Sequence, residues 1–383
     1  MIVELHLLQN FAPANLNRDD TGSPKDCEFG GYRRARISSQ AQKRAIRTLF
    51  RERQLLPAES LGQRTTRLGE AIAASLVEAG KPADAAQFAA GNLIEALGIK
   101  ANSKRPEETS YLVFAGADEM AALAGIAENH WETLTAGFAP GAERKKAKKT
   151  ELPKEIASEA KRALDGHRAA DIALFGRMIA DLPDRNRDAA SQVAHAISTN
   201  RVSMEFDFFT AVDDLKAANE AEDAGAGMLG TVEFNSSCFY RYANLDIHQL
   251  VKNLGGDRDL AMETIRAFMI GAIEAIPTGK QNTFAAHQPP SFLLATVSER
   301  APLSLANAFL GPVAPKGNED LMARSIAALD GYWGRMAALY DLDGVKLTVA
   351  VDPAYEHALS VLTGSRAGRM SDVIETVLAQ VEC

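Results

Sequence analysis

The order in which this chain switches between strand-like and helix-like periodicity constrains its fold more than any other feature. Ile2 to Gln9 alternates as a strand, and a helix is expected from Ser39. Ile172 to Met178 and Phe239 to Ile247 read as strands, Leu260 to Ile276 as a helix, and Ser291 to Val297 as a strand. The sequence of types is β-α-β-β-α-β, which is that of a ferredoxin-like or RRM-like core. The expected class is α+β, with core segments 1–54, 169–199 and 237–383. Two long insertions interrupt them. The first, 55–168, reads as helices rich in Ala and Glu; the second, 200–236, reads as a long β-hairpin. In that hairpin Met204 to Phe209 alternates, a Gly-rich turn follows, and Thr231 to Phe234 alternates again. Past the core, Glu319 to Tyr340 is expected as a helix, Val345 to Val351 as a strand and Ser371 to Val381 as a helix.

Charge is distributed unevenly on this framework. Lys25 to Arg53 holds nine basic residues (Lys25, Arg33, Arg34, Arg36, Lys43, Arg44, Arg47, Arg51, Arg53) against Asp26, Glu28 and Glu52, whereas the whole chain carries a net charge of −8. An acidic protein with one basic strip is suited to holding a polyanion there. After Gly30-Gly31, Ser39 and Gln42 fit a capping box, so the helix starts with free amides that also favour phosphate. At ~100° per residue, Lys43, Arg44, Arg47 and Arg51 share one face, and Ala41, Ala45, Ile46 and Leu49 the other. A solvated amphipathic helix fits the same pattern. Glu52 is the only acid on it, so the usual i,i+4 ion pairs are missing.

These residues carry a resemblance. Leu16-Asn17-Arg18-Asp19-Asp20, Lys25-Asp26, Phe29-Gly30-Gly31, Arg33-Arg34 and Arg36-Ile37-Ser38-Ser39-Gln40 through Lys43-Arg44 resemble the N-terminal signature of the CasC backbone-subunit family of type I-E CRISPR Cascade complexes. The likeness resumes at Gly176-Arg177-Met178, at Ala194 to Ile197, at Phe209 to Leu215, at Phe239 to Asn244 and at Leu303 to Phe309. It implies an RRM-like palm with helical fingers (55–168) and a hairpin thumb (200–236). It also implies a non-catalytic subunit, without cofactor or metal, that polymerises on CRISPR RNA and presents it to target DNA. RNA contacts are then expected from Arg18, Lys25, Ser38, Gln40, Lys43, Arg44 and Arg47, with Met178, Phe208 and Phe209 wedging or stacking against bases. Phe206 is expected in the core. Lys145, Lys146, Lys148 and Lys149 match finger lysines that guide target DNA, although a five-cation run can equally be an inert solvated segment. Implied partners are further copies of the chain, the large, small and guide-end-capping Cascade subunits, and a helicase-nuclease.

Asp19 and Asp20 raise an alternative. Related type III backbone subunits place a catalytic Asp in an early loop of this core, so a metal-dependent endoribonuclease stays open; local loop capping or pairing with Arg18 is the plainer role. Gly225 to Gly230 matches G-x-G-x-x-G but precedes a strand, where a dinucleotide site needs a helix. Gly279-Lys280 lacks the rest of a phosphate loop. The seven His residues show no HExxH or other metal-ligand spacing, and His195 is expected buried near the thumb base. Cys27, Cys238 and Cys383 are too dispersed for a metal knuckle and are expected as reduced thiols in the cytoplasm. The first residues lack a basic n-region, and no apolar run approaches the ~18 residues of a bilayer span, so no membrane partner is expected.

Overall fold

The structure is a computed structural model that describes all residues except 103–104, 106–107, 140–151, 212–227 and 382–383. Along the chain the elements are β1 (Ile2–Ala14), β2 (Asp26–Phe29), β3 (Tyr32–Ile37), α1 (Ser39–Glu52), β4 (Gly62–Thr65), α2 (Leu68–Glu78) and α3 (Ala83–Leu97). There follow β5 (Val113–Gly116), α4 (Ala117–Asn129), α5 (Trp131–Leu134), α6 (Lys154–Ala163), α7 (Ala170–Phe175), β6 (Ser191–Val193), β7 (Ala196–Ser198), β8 (Glu205–Ala211) and β9 (Met228–Asp246). The chain ends with α8 (Ile247–Asn253), α9 (Arg258–Glu274), α10 (Gln281–Phe284), β10 (Phe292–Ser298), α11 (Leu321–Tyr340), β11 (Lys346–Val351) and α12 (Met370–Gln380). Two compact units emerge. One comprises Met1–Glu52, Gln192–Leu245 and Ile265–Glu382; the other comprises Arg53–Ser191 and Asp246–Thr264.

The first unit is built on a sheet of order β11-β10-β1-β9-β7-β3-β2, with β8 also paired to β9. Its inner strands run β10-β1-β9-β7, and with α1 after β1 and α9 after β9 this is the ferredoxin-like connection that the periodicity predicts. β1 pairs antiparallel with β10 from Ile2↔Ser298 to Leu8↔Phe292. Alternation divides its side chains between two buried layers. On one side α1 meets the C-terminal part of α9, where Ile46 and Phe50 close over Gly271. Arg241, buried there, donates to Gln9 Oε1 at 2.7 Å and to the Ala272 carbonyl at 2.7 Å. On the other side Leu8, Tyr240, Tyr242, Phe292 and Leu294 pack with Met322, Ile326, Leu329 and Trp333 of α11. His6 and Tyr240 are buried on that face and bonded to each other at 2.9 Å. The sheet face whose aromatics stack bases in ordinary RNA-recognition domains is therefore occupied by the protein's own helix.

The second unit is mainly helical. Leu68, Ile72 and Leu76 of α2, Ala86, Ala90, Leu93 and Leu97 of α3, Leu123 and Ala127 of α4, and Ile156 and Ala160 of α6 form one core, beside a small β4–β5 ladder.

Several expectations are corrected. Ile172 to Met178 is no strand: α7 covers Ala170–Phe175 and stops at Gly176, whose φ of 77° ends it. The apolar run is compatible with either state, and the Asp171 carboxylate, buried in this unit, accepts from the Gly62 amide at 2.7 Å. The second core strand is instead β7, some twenty residues later. The cap of α1 is Ser38, not Ser39: its hydroxyl accepts from the Ala41 amide at 3.3 Å, while Gln42 turns inward to the Ala194 carbonyl at 2.7 Å. Phe239 to Asp246 is the inner end of β9, which is continuous from the hairpin into the sheet. Cys27 and Cys238 carry free thiols; Cys383 lies outside the described residues.

Candidate nucleic-acid interface

The basic face of α1 exists because its other face is apolar. Ala45, Ile46 and Phe50 are buried with Gln42, which turns Arg44 and Arg51 out to solvent and leaves Lys43 and Arg47 half-buried along the same edge. Gln40 is exposed in the first turn. Ser38 is buried, its hydroxyl engaged in the cap.

Residues 15–25 form a loop docked on the start of this helix. Asn17 Oδ1 accepts from the Ser38 amide at 2.8 Å, the Lys25 amide donates to the Asn17 carbonyl at 2.8 Å, and the Arg36 amide donates to the Lys25 carbonyl at 2.9 Å. On its far side Asn15 Nδ2 donates to the Glu233 carbonyl at 2.9 Å, at the base of the β8–β9 hairpin. The loop thereby joins helix and hairpin, with exposed Arg18 and half-buried Lys25 between them. Phe11, Leu16, Ile37 and Phe239 floor a small cleft there, with Lys25, Arg36 and Asn235 also lining it.

Gly279 seals the loop from beneath: a Cβ there would lie 2.3 Å from the Leu16 carbonyl oxygen. Gly279→Ala is accordingly expected to destabilise the fold by about 1–3 kcal/mol, as overpacking against backbone does. Urea denaturation would show it, and an unchanged midpoint would mean that the contact is slack. Lys280, next in sequence, holds a left-handed φ of 50°, a conformation that lysine adopts only under constraint. This segment, dismissed by sequence motif, borders the strip.

The hairpin pairs β8 with β9 from Glu205↔Phe234 to Ala211↔Met228. Phe206 is 65% exposed, Phe208 66% and Phe209 40%. Phe206 is therefore not a core residue: its ring stays exposed, although one register position nearer the sheet Phe234 packs on Phe284 of α10, with ring centroids 5.7 Å apart. Phe209 lies over Gly230, its register partner, with Cζ 2.3 Å from where a Cβ would stand.

In the second unit Met178 is 76% exposed, and its neighbours fix it. Arg177 beside it is buried and donates through Nη1 to Glu119 at 2.6 and 2.8 Å and through Nη2 to the Leu164 carbonyl at 3.1 Å. Burial pushes the Glu119 carboxyl up despite that pairing. Ile179 is held by its amide to Asn186 Oδ1 at 2.7 Å. Lys145, Lys146, Lys148 and Lys149 lie outside the described residues.

The structure treats two of the nine cations differently from the simple count. Arg34 is fully buried, and Arg33 pairs with Asp26. Two groups outside the expected RNA contacts do belong to the strip: Arg36, counted among the nine cations, and His195, which is exposed rather than buried and bonded to Arg36 at 3.0 Å. Only the β3–β7 pairing, Arg36↔Ile197, brings them together.

Asp19 closes its own loop. Oδ1 accepts from the Thr21 hydroxyl at 2.8 Å and from the Thr21 and Ser23 amides at 2.9 and 3.0 Å, bonds that hold the carboxyl below its ordinary range, the Thr21 side chain foremost. Asp20 is exposed. Among the described residues no group of three or more His, Cys, Asp or Glu side chains is placed to hold a metal ion, and no helix is long and apolar enough to cross a membrane.

A family model described as CT1975-like protein matches residues 3–376. The chain belongs to that family. Among solved structures it is similar to a chain of a "CRISPR RNA-guided surveillance complex, pre-nicking", with 31% identity, a TM-score of 0.86, and 99% of this chain and all of the other covered. It is also similar to a chain of a "CRISPR RNA-guided surveillance complex", with 25% identity, a TM-score of 0.75 and full coverage of both. No curated protein matches. For a CT1975-like chain, likeness over the whole length includes the α1 strip and the hairpin together.

Proposed function

We propose that the protein is the guide-RNA backbone subunit of a type I-E Cascade surveillance complex, non-catalytic, polymerising along the spacer of a CRISPR RNA and holding it for pairing with target DNA in the cytoplasm. The observation that carries this reading is the joining of the cationic α1 face, through the 15–25 loop, to a hairpin with exposed phenylalanines. The first suits a phosphate backbone, the second bases or a neighbouring copy. Sequence is then read by the guide's own bases, and the protein grips shape and charge. The same reading supplies the large, small and guide-end-capping subunits and a recruited helicase-nuclease as partners, and gives Lys145, Lys146, Lys148 and Lys149 to incoming DNA.

Lys43→Glu with Arg47→Glu tests it. Guide affinity should fall by a similar factor for unrelated spacers, and the salt slope should flatten by ~0.7 log units per lost phosphate contact. A loss that depends on spacer sequence would point to base readout instead. In the same assay with a divalent metal the RNA should stay intact; fragments that disappear in Asp19→Ala would establish the ribonuclease alternative.

A further inference from the structure

Two cations, Lys25 and Arg36, gather around the His195 imidazole, and among the described residues no acid acts on that ring. Arg36 Nε donates to the Asp26 carbonyl at 3.0 Å, and its Nη1 lies 3.0 Å from His195 Nδ1. A guanidinium can only donate, so His195 accepts on Nδ1, is neutral, and carries its proton on Nε2. The carboxylate of Asp26 is taken by Arg33. The charged groups that act on His195 are Arg36 and Lys25, both cations. Lys25 and Arg36 also line one cleft at the foot of the hairpin, and His195 is exposed beside them.

Cations gathered this way repel one another unless an anion joins them. The geometry assigns to Lys25, Arg36 and His195 a shared phosphodiester seat in which His195 takes up a proton from solvent as the phosphate arrives. This deepens the RNA-binding reading and rests on it. In the free protein burial, then Arg36, then Lys25 hold the imidazole below its ordinary range. A phosphate oxygen reverses the balance. It offers the imidazolium an acceptor and screens it from Arg36, so the ring titrates higher when bound than when free. The proton goes onto Nδ1, so the hydrogen bond from Arg36 Nη1 to that atom is given up, and the freed Arg36 N–H turns to the phosphate in its place. The sign follows: a group whose pKa is raised by the ligand strengthens binding below the bound-state value, and the gain is lost as pH rises through it.

The test uses the full-length protein and an oligouridylate, whose bases and phosphates do not titrate between pH 5.5 and 8. For an upward shift on the order of one unit, affinity should fall about tenfold across that range, and His195→Gln should bind with no such slope. A second measurement follows the His195 ring by NMR in sulfate against chloride at equal ionic strength: sulfate should raise its titration midpoint, and Arg36→Gln should reduce that rise. A flat wild-type profile, a slope that survives in His195→Gln, or a midpoint indifferent to sulfate would each overturn the seat. If oligouridylate fails to bind while sulfate still moves His195, the anion seat stands and the RNA reading falls.

Discussion

Arg34→Ala should cost about 3–5 kcal/mol of folding free energy, although Arg34 sits in the middle of a cationic stretch. Its side chain is fully buried and reaches four backbone carbonyls: Ser198 at 3.1 Å, Thr199 at 2.6 Å, Phe309 at 2.7 Å and Leu310 at 3.3 Å. These bonds tie β3 to the end of β7 and to the segment beneath α11. Truncation leaves buried carbonyls without donors, at about 1–3 kcal/mol for each that water cannot reach, and opens a cavity. Arg34→Lys should recover less than half of the loss, because one ammonium cannot span both carbonyl pairs as a fork does. Arg44→Ala, on the exposed face of α1, should stay within about 0.5 kcal/mol of wild type while weakening RNA binding. Urea denaturation of the three variants decides. An Arg34→Ala midpoint close to wild type would mean that the clamp contributes little.

Phe208→Ala with Phe209→Ala should have the opposite profile. Both rings are substantially exposed, so the monomer's melting temperature should barely move; the only local cost is the cover that Phe209 provides over Gly230. On RNA each lost stacking contact is worth about 1–3 kcal/mol, roughly fivefold to 150-fold in affinity per ring, and under the proposed function the deficit would recur at every copy bound along the guide. Size-exclusion chromatography with a guide-length RNA should therefore show short or absent assemblies. A large drop in monomer melting temperature would instead place these rings in a core.

The comparison of Arg33 with Arg34 shows what sequence can and cannot supply. Counting cations by window treats them alike, but on β3 successive side chains face opposite ways, and only the pairing of that strand tells which one is buried. The same reason hid the meeting of Arg36 with His195, 159 residues apart, which is a fact of sheet order. Long elements with a steady period, such as α1, α9 and α11, were legible because one apolar face suffices to define them. The six residues of α7, apolar or small except Asp171, were not, since a short run fits a strand as well as a helix. Phe206 was misjudged because an apolar ring implies a core only where a second layer exists.

β9 is a single strand of 19 residues, about 60 Å at strand rise, with its inner half wedged between β1 and β7 and its outer half forming one side of the hairpin. A hairpin mounted on loops swings about a hinge, which costs little. This one continues a strand from the middle of the sheet, so deflecting the described outer part of β9 must bend or twist a strand gripped on both edges. The hairpin thus acts as a stiff spring whose resting angle is set by sheet twist. Load on that outer part is carried to Tyr240 and Arg241 in the two buried layers rather than dissipated at the root.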